Sequence, residues 1–279
     1  MARWSAVLRF VPPVVGLALP CARASPPDSP PPKGWVQTAE PDEATLRCAN
    51  GQRSWMVTLR NGAVVAGDRL DASDFPGRDS LPFRLPDKLR PWGWVHVLKL
   101  PDGFLVGSSA GEFGGRLVFF APDGRTWREL SQENVIGLVA VRGGEVLVLQ
   151  GINHLSIREG YVRWLVHTPG GGWQPVEERS LSSGPEVYAV SGDDVFVITL
   201  DALFRVTPDR EVENLGSLPI GHLNPNTMVS DSAGSLWVGM RHFLVRLVPL
   251  EHSASRTWFI RNPSSDGGPP SKDPCGLPK

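Results

Sequence analysis

Six polar residues of this sequence carry side chains that could bind a ligand or move a proton. Glutamate and aspartate can accept hydrogen bonds or ligate cations, and histidine can also act as an acid or a base near neutral pH. An arginine can hold a carboxylate or a phosphate through paired hydrogen bonds. The candidate ligand-binding residues are Glu112, Asn153, His154, Asp201, Arg241 and His242. They fall in four separate parts of the sequence, so only the fold could bring all six together.

No established catalytic motif is assigned to these residues. We identify no dinucleotide-binding fingerprint, no phosphate loop and no candidate for nucleophilic catalysis. Neither the short ligand spacing of zinc sites nor a calcium-loop pattern is evident. We therefore expect a binding protein rather than an enzyme, with no catalytic residue and no cofactor. Each candidate residue also has a plainer interpretation, as an ordinary loop residue.

The elements that must position these side chains form a repeat. Residues 226–247 read as three antiparallel strands, with turns at 231–234 and 239–242. The same order of strand, tight turn and strand recurs upstream, at intervals of 40 to 48 residues. The second strand of each copy closes at Gly67, Gly107, Gly151, Thr199 and Gly239. A repeat of this length indicates one architecture built from similar units.

Further strands complete most units. Third strands are predicted at residues 115–120, 161–167, 203–207 and 243–247, and tryptophan-bearing fourth strands at 126–130, 173–177 and 257–260. Four short antiparallel strands that recur every 40 to 50 residues are typical of a β-propeller blade. We expect an all-β fold, a β-propeller of four-stranded antiparallel blades. Five blades are favoured, and six are possible if the irregular first 90 residues contain another.

The first unit is the least regular. We assign residues 56–67 to its first hairpin and 81–85 to its third strand. Residues 35–48 are then left as an extra strand, which can complete the final blade and close the ring. In an alternative assignment, residues 56–65 are the outer hairpin of a blade whose inner strands lie at 35–48.

Propeller topology predicts where the candidate residues lie. The loops between second and third strands share one face, around the mouth of the central channel, where propellers bind ligands. These loops are residues 108–114, 152–160, 200–202 and 240–242, and they contain all six candidates. The connections into the first strands add Asn134, Asn224 and Asn226 to that face. We therefore predict a ligand-binding site at the channel face.

Other residues have structural interpretations. Asp102, Asp123 and Asp231 lie in blade turns close to a glycine, where an aspartate satisfies backbone hydrogen-bond donors. The strand tryptophans are predicted to pack between blades. Trp92 and Trp94, in a Pro-Trp-Gly-Trp connection, are the aromatic candidates for a surface contact.

The last unit carries a family resemblance. Its pattern is Met228-Val229-x-Asp231-x-x-Gly234-x-Leu236-Trp237-Val238-Gly239, and a weaker version occurs at residues 101–107. It resembles the repeat of two-component-regulator propellers and their NHL and gluconolactonase-like relatives. The resemblance implies a propeller over residues 54–260 and no particular function, because propellers host sensors, binding scaffolds and enzymes.

The gluconolactonase-like relatives imply an alternative function, a metal-dependent lactonase-type hydrolase. Such enzymes hold a divalent cation at the channel mouth with carboxylate and asparagine ligands. The only candidates for such ligands in this sequence are Glu112, Asp201, Asn224 and Asn226. They do not match the family's motif residue by residue, so the metal ligands stay unknown.

Residues 1–24 have the features of a secretory signal peptide. Arg3 and Arg9 precede or border an apolar run at residues 10–19, and small residues around position 24 offer a cleavage site. The run is too short to span a bilayer. Cys21 resembles a lipoprotein processing site, but Pro20 departs from that pattern, so soluble secretion is favoured over a lipid anchor. We expect periplasmic or extracellular export.

The remaining boundaries follow from composition. Residues 25–34 form a Pro-rich linker, 35–262 the propeller domain and 263–279 a tail rich in Pro, Gly and Ser. Cleavage after residue 24 removes three arginines and no acidic residue, which changes the net charge from −1 to −4. This mildly acidic balance argues against nucleic acid or an anionic membrane as a partner.

Processing would leave two cysteines, Cys48 and Cys275, near opposite ends of the mature chain. An even number of cysteines in an oxidising compartment favours a disulfide, and closure of the ring would bring the two ends together. Two unpaired thiols remain the alternative. We expect a monomeric, exported binding module that recognises a small molecule or a protein at its channel face.

Overall fold

Antiparallel strands account for most of the structure, a computed structural model that describes residues 29–68, 81–89, 93–170 and 172–262. The first described elements are β1 (Trp35–Thr38), the short helix α1 (Glu43–Ala49) and a hairpin of β2 (Met56–Arg60) and β3 (Ala63–Gly67). The side chain of Asp42 caps α1, because it accepts a hydrogen bond from the Thr45 backbone N at 2.8 Å.

Three four-stranded meanders follow in chain order. The first contains β4 (Trp94–Leu100), β5 (Gly103–Ser109), β6 (Gly115–Phe120) and β7 (Trp127–Ser131). The second contains β8 (Val135–Val141), β9 (Glu145–His154), β10 (Ile157–Thr168) and β11 (Gly172–Leu181). The third contains β12 (Pro185–Ser191), β13 (Asp194–Thr199), β14 (Ala202–Val206) and β15 (Val212–Ser217). Short 3₁₀ turns occupy Asp87–Leu89, Gly111–Phe113, Arg142–Gly144 and Gly221–Leu223.

The last sheet closes the fold with a strand from the start of the described chain. It contains β16 (Thr227–Ser230), β17 (Leu236–Gly239), β18 (Phe243–Pro249) and β19 (Ala254–Arg261). Strand β1 pairs with the outer edge of β19, so that Trp35 lies opposite Arg261. Residues before β1 also contact this sheet, since Pro32 is buried and the Ser29 carbonyl accepts a hydrogen bond from Arg246 at 2.9 Å.

The sheets pack face to face as the blades of a propeller. Strands β4, β8, β12, β16 and β2 are successive neighbours, so the first strand of each sheet lines the middle of the ring. Separate apolar clusters fill the spaces between adjacent sheets, and Leu147, Val197 and Val238 are completely buried in them. Each such side chain contributes about 1.5–3 kcal/mol through its burial. The fold is therefore a multi-blade, all-β propeller, as the repeat predicts.

The turn of the last unit explains its sequence pattern. The Asp231 carboxylate accepts hydrogen bonds from the backbone N of Ala233 at 3.0 Å and of Ser235 at 2.9 Å. It also accepts one from Trp237 Nε1 at 2.9 Å, which fixes the indole inside the sheet. Asp102 has a different role, because it accepts a hydrogen bond from Trp173 Nε1 of the next sheet at 3.2 Å.

Several strand assignments differ from the sequence-based expectation. Residues 81–85 form no strand; they pack with neighbours of the 81–89 segment against the first meander. Only four of residues 35–48 are extended, because the sequence after Asp42 forms the capped helix α1. Strand β15 was not predicted, since it lacks a tryptophan. Five sheets occur among the described residues, and the number of blades stays a prediction.

The predicted loop at residues 152–160 is reduced to Leu155 and Ser156, because β9 and β10 extend to His154 and from Ile157. Gly151 therefore lies within a strand instead of ending one. A Cβ atom at Gly151 would lie 2.1 Å from the Glu159 carbonyl oxygen, so glycine is needed there for the two strands to approach each other.

Candidate functional site

One face of the propeller carries the loops between second and third strands and the connections into the first strands. We call it the loop face. Contacts between consecutive sheets define it: the Asn134 side chain, just before β8, accepts hydrogen bonds from Ser109 Oγ at 3.1 Å and the Ala110 backbone N at 3.2 Å, both at the end of β5. The Arg241 backbone N similarly donates to the Leu223 carbonyl at 2.8 Å. All six predicted site residues lie on this face.

Glu112 and His154 meet across two sheets. His154 Nε2 lies 2.8 Å from Glu112 Oε2, and both side chains are partly exposed. Glu112 lies in the Gly111–Phe113 turn, and His154 is the last residue of β9. Gly111 and Gly114 have φ angles of 59° and 87°, which allow the turn to fold tightly enough to present Glu112. The pair is an ion pair when the histidine is protonated.

Asn153 reaches in the opposite direction, because successive strand residues point to opposite sides. Its Oδ1 accepts a hydrogen bond from the Gly184 backbone N at 2.8 Å, and its Nδ2 donates to the Gly184 carbonyl at 2.8 Å. The same Nδ2 donates to Glu186 Oε1 at 2.6 Å. The end of β9 therefore contacts both neighbouring sheets.

Glu186 was not predicted from the sequence. It is the second residue of β12, the innermost strand of its sheet, and it is half-buried. Burial raises the pKa of the Glu186 carboxyl, and the hydrogen bond from Asn153 opposes this change. A charged residue near the start of the otherwise uncharged segment Pro-Glu-Val-Tyr-Ala-Val was the signal that could have revealed it.

The other three predicted site residues hold the loops together. Asp201 accepts hydrogen bonds from Ser182 Oγ at 2.8 Å and Thr199 Oγ1 at 3.2 Å. Arg241 donates to the Asn50 side chain. The His242 backbone N donates to the Arg53 carbonyl at 2.8 Å, and its ring packs edge-on against Phe243 at 4.7 Å between centroids. Their part in ligand binding stays a prediction.

The residues offered for a lactonase metal site contact separate partners. Glu112 pairs with His154, Asp201 binds the hydroxyls of Ser182 and Thr199, and Asn226 donates to Ser54 Oγ at 2.6 Å. Asn224 ends the Gly221–Leu223 turn in a left-handed conformation. Within the described parts of the chain, no group of three or more His, Cys, Asp or Glu side chains is arranged to hold a metal ion.

Residues 107–111 read Gly-Ser-Ser-Ala-Gly, which has the Gly-x-Ser-x-Gly spacing of a nucleophile elbow. No nucleophile was predicted at this serine. Ser109 is buried at the end of β5, and its Oγ donates its proton to Asn134 Oδ1. A nucleophilic serine needs a base at that position. The asparagine amide is not a base, so the motif is structural.

Four large apolar side chains are exposed on the same face as the Glu112–His154 pair. Trp94 is 69% exposed, Phe113 83%, Leu155 88% and Ile157 47%. Phe113 and Leu155 each adjoin one member of the pair, Ile157 lies opposite His154, and Trp94 lies opposite Ser109. We call these four residues the apolar crown. Trp94 thus has the predicted surface position, while Trp92 lies outside the described residues.

Leu155 has an unusual backbone as well as an exposed side chain. It occupies the first position of a two-residue hairpin loop with a φ of 52°, while Ser156 has no positive φ. Glycine is usual at such a position. The left-handed region costs an L-residue such as leucine about 1–2 kcal/mol. Neither the turn nor solubility explains why leucine occurs here.

An open groove of about 560 Å³ lies on the outer side of the first two meanders. Arg163 lines it together with residues 130–133 and 175–178. The Arg163 guanidinium donates to Glu178 Oε2 at 2.8 Å and to Gln150 Oε1 at 2.7 Å. Its hydrogen-bonding capacity is thus used within the protein, so the groove is a less suitable recognition site than the loop face.

The sheets and their order define this chain as a multi-blade β-propeller. It is similar to streptogramin B lyase, with 16% identity, coverage of 58% of each chain and a TM-score of 0.36. It is also similar to a protein described as a gluconolactonase, with 12% identity over 57% of this chain and 70% of the other and a TM-score of 0.32. The extracellular domain of a one-component system from B. thetaiotaomicron is 11% identical over 63% of this chain and 36% of that one, with a TM-score of 0.28. These are propeller-type proteins.

No protein-family model and no curated protein matches the chain. Among the described residues, no helix combines the length and the apolar character needed to cross a membrane.

Proposed function

We propose that this protein is an exported binding module that recognises a protein partner at its loop face. The observation that carries the proposal is Leu155, which exposes an apolar side chain from a strained backbone. Strain of this kind persists where the surrounding structure enforces it and is often associated with function. A leucine that stabilises neither the turn nor the solvated surface is explained if a partner covers it.

The size of the apolar crown favours a protein over a small molecule. Aromatic side chains can each bury about 150–250 Å², so the four partly exposed residues offer on the order of 500 Å². A standard protein interface buries about 800 Å² on each partner, with an apolar centre and a polar rim. The crown would supply that centre, and Glu112, Asn153 and His154 would supply part of the rim.

The shape of the crown supports the same choice. Small-molecule sites are concave and enclose most of the ligand. Phe113 and Leu155 instead lie in turns and project from the loop face. Projecting side chains suit a groove on a partner. The lactonase alternative lacks comparable support, because its four offered ligands are held by separate contacts.

Photo-crosslinking tests this proposal. A photoreactive amino acid would replace Phe113 in the mature protein, which would be irradiated with the exported proteins of the source cells. Leu250 is the matched control site, because it is 49% exposed and lies in a turn at the end of β18, on the opposite face. We expect a specific crosslink from position 113 and none from position 250.

The crosslink must also depend on the crown. Leu155→Asn should abolish it, and the purified partner should bind that variant at least about tenfold more weakly, equivalent to about 1.4 kcal/mol. Equal crosslinking from both positions, or binding that Leu155→Asn leaves unchanged, would contradict the proposal.

Export is part of the same proposal and rests on the sequence. Cleavage after Ala24 would leave a mature chain that begins at Ser25. N-terminal sequencing of the protein recovered from the periplasm or medium tests this. An uncleaved, intracellular protein would contradict export without affecting the loop-face site.

A further inference from the structure

Glu186 is a half-buried carboxyl group that has no cationic partner within the described parts of the chain. In the described residues its only hydrogen bond is the one from Asn153 Nδ2 to Oε1, and it forms no ion pair with an arginine, lysine or histidine. A desolvated carboxylate is costly unless a counter-ion compensates it. Glu186 nevertheless lies on an innermost strand. Most other described acidic side chains of similar burial have a basic partner; Glu145 and Glu177, for example, both pair with Arg210.

The second oxygen of Glu186 is available to a ligand. Oε2 accepts no hydrogen bond from the described residues, and it is not among their fully buried unpaired atoms, so solvent can reach it. Oε1 is held by Asn153, which is itself fixed by two hydrogen bonds to Gly184. The carboxyl is therefore oriented in advance, with one oxygen committed and the other accessible.

The hairpin tip connects Glu186 to the apolar crown. Asn153 contacts Glu186, His154 contacts Glu112, and Leu155 is the next residue. An extended chain advances about 3.3 Å per residue, so a segment of a few residues is long enough to lie across this tip. The oriented carboxylate and the crown are thus parts of one surface.

We propose that the loop face binds an extended peptide segment in which a lysine or arginine is flanked by apolar residues. This inference rests on the proposed function and specifies the partner. The basic group would pair with Glu186 Oε2, while the flanking side chains would pack on Trp94, Phe113, Leu155 and Ile157. Charge complementarity selects this occupant, because a cation supplies the missing counter-ion.

Selection from a random nonapeptide display library tests the inference on the mature protein. We expect the enriched peptides to contain lysine or arginine next to aromatic or aliphatic residues. Synthetic, fluorescently labelled versions would then be measured by anisotropy. Glu186→Gln should weaken binding about tenfold or more, because it removes the charge but keeps an acceptor for Asn153. Glu211→Gln, an exposed carboxylate in the turn after β14, is the matched control and should leave binding unchanged.

The outcomes separate the two proposals. Enriched peptides without a basic residue, or binding that Glu186→Gln does not change, would overturn the basic-peptide inference. If Leu155→Asn still abolished that binding, the proposed function would stand. If the wild-type protein enriched no peptide beyond those that the Leu155→Asn variant enriches, and crosslinking also failed, the proposed function and the basic-peptide inference would both be overturned. A dimer of the wild type that Leu155→Asn dissociates in sedimentation experiments would identify a second copy of the chain as the occupant and overturn the inference.

Discussion

At the scale of single residues, two energetically unfavourable features lie at the end of β9. Leu155 has a left-handed backbone and 88% exposure, and Glu186 is a partly desolvated carboxyl that meets no cation among the residues the structure describes. Both contact or adjoin the end of β9. Equivalent polar residues elsewhere on the loop face, such as Asp201 and Asn226, are satisfied by hydrogen bonds. Strained and desolvated groups concentrated at one place are expected where binding requires them.

Replacement of the strained leucine should stabilise the isolated protein. Asparagine tolerates a positive φ better than leucine does. Leu155→Asn should raise the free energy of unfolding by about 0.5–1 kcal/mol. Chemical denaturation measures this change. Leu250→Asn is the control, because Leu250 does not have a positive φ and its replacement relieves no backbone strain. A destabilised Leu155→Asn variant would show that the leucine has a structural role.

Glu186→Gln should stabilise the protein at neutral pH and not in acid. Burial raises the pKa of the Glu186 carboxyl above its ordinary value of 4.5, so the folded state retains this proton to higher pH than the unfolded state does. Below the pKa that Glu186 has in the unfolded chain, the carboxyl is protonated in both states and costs no stability. As the pH rises through the pKa that it has in the folded state, the free energy of unfolding falls. Glutamine carries no charge to desolvate. Thermal melts should therefore show a higher Tm for the variant near pH 7 and no difference near pH 4; the same advantage at both values would contradict this assignment.

At the scale of elements, the sequence predicted strands better than it predicted their ends. The turn pattern and apolar alternation identified β5, β6, β9, β17 and β18, because these features are local. The glycines that close the predicted strands have a second role that local reasoning did not reveal. A Cβ atom at Gly107 would lie 2.4 Å from Val135 Cγ1 of the next sheet, and one at Gly239 would lie 2.5 Å from the Trp55 carbonyl oxygen. They permit close approach between blades, which depends on tertiary structure.

The candidate site was predicted only in part, because several of its contacts also depend on tertiary structure. Propeller topology placed Glu112 and His154 on one face, but their contact depends on the length of the β9–β10 hairpin. Glu186 belongs to a strand, and a search among loop residues could not find it. Leu155 is exposed because it lies in a two-residue turn. A nine-residue loop was predicted there from the sequence, so this exposure was not expected.

The turn of the last blade can be tested by a nearly isosteric change. Asp231→Asn preserves volume but places an amide where the carboxylate accepts hydrogen bonds from two backbone N–H groups and Trp237 Nε1. Loss of an acceptor at a buried site should lower the free energy of unfolding by about 1–3 kcal/mol. Asp123→Asn is the control, because Asp123 is exposed and accepts one such bond, from Arg125, at 2.9 Å. Equal effects in denaturant unfolding would contradict this account.

At the scale of the whole molecule, the ends of the folded region meet in the last sheet. Strand β1 pairs with β19, the Asn262 backbone N donates to the Gly34 carbonyl at 2.8 Å, and α1 packs near the Gly221–Leu223 turn. A propeller needs such a closure because each sheet is stable only against its neighbours. The predicted extra strand therefore completes the last blade, although it is shorter than expected.

This closure makes the predicted Cys48–Cys275 disulfide testable. Cys48 lies on α1, and Cys275 lies outside the described residues. A cross-link over so long a loop reduces the entropy of the unfolded chain, and its removal should cost about 2–5 kcal/mol. We expect the denatured mature protein to show no free thiol before reduction and two after it. Cys48→Ser and Cys275→Ser should each lower the Tm, and the double variant should be no less stable than either single variant, because all three lack the same bond. Two free thiols before reduction, or additive effects of the two substitutions, would mean that pairing with β1 closes the ring without a covalent bond.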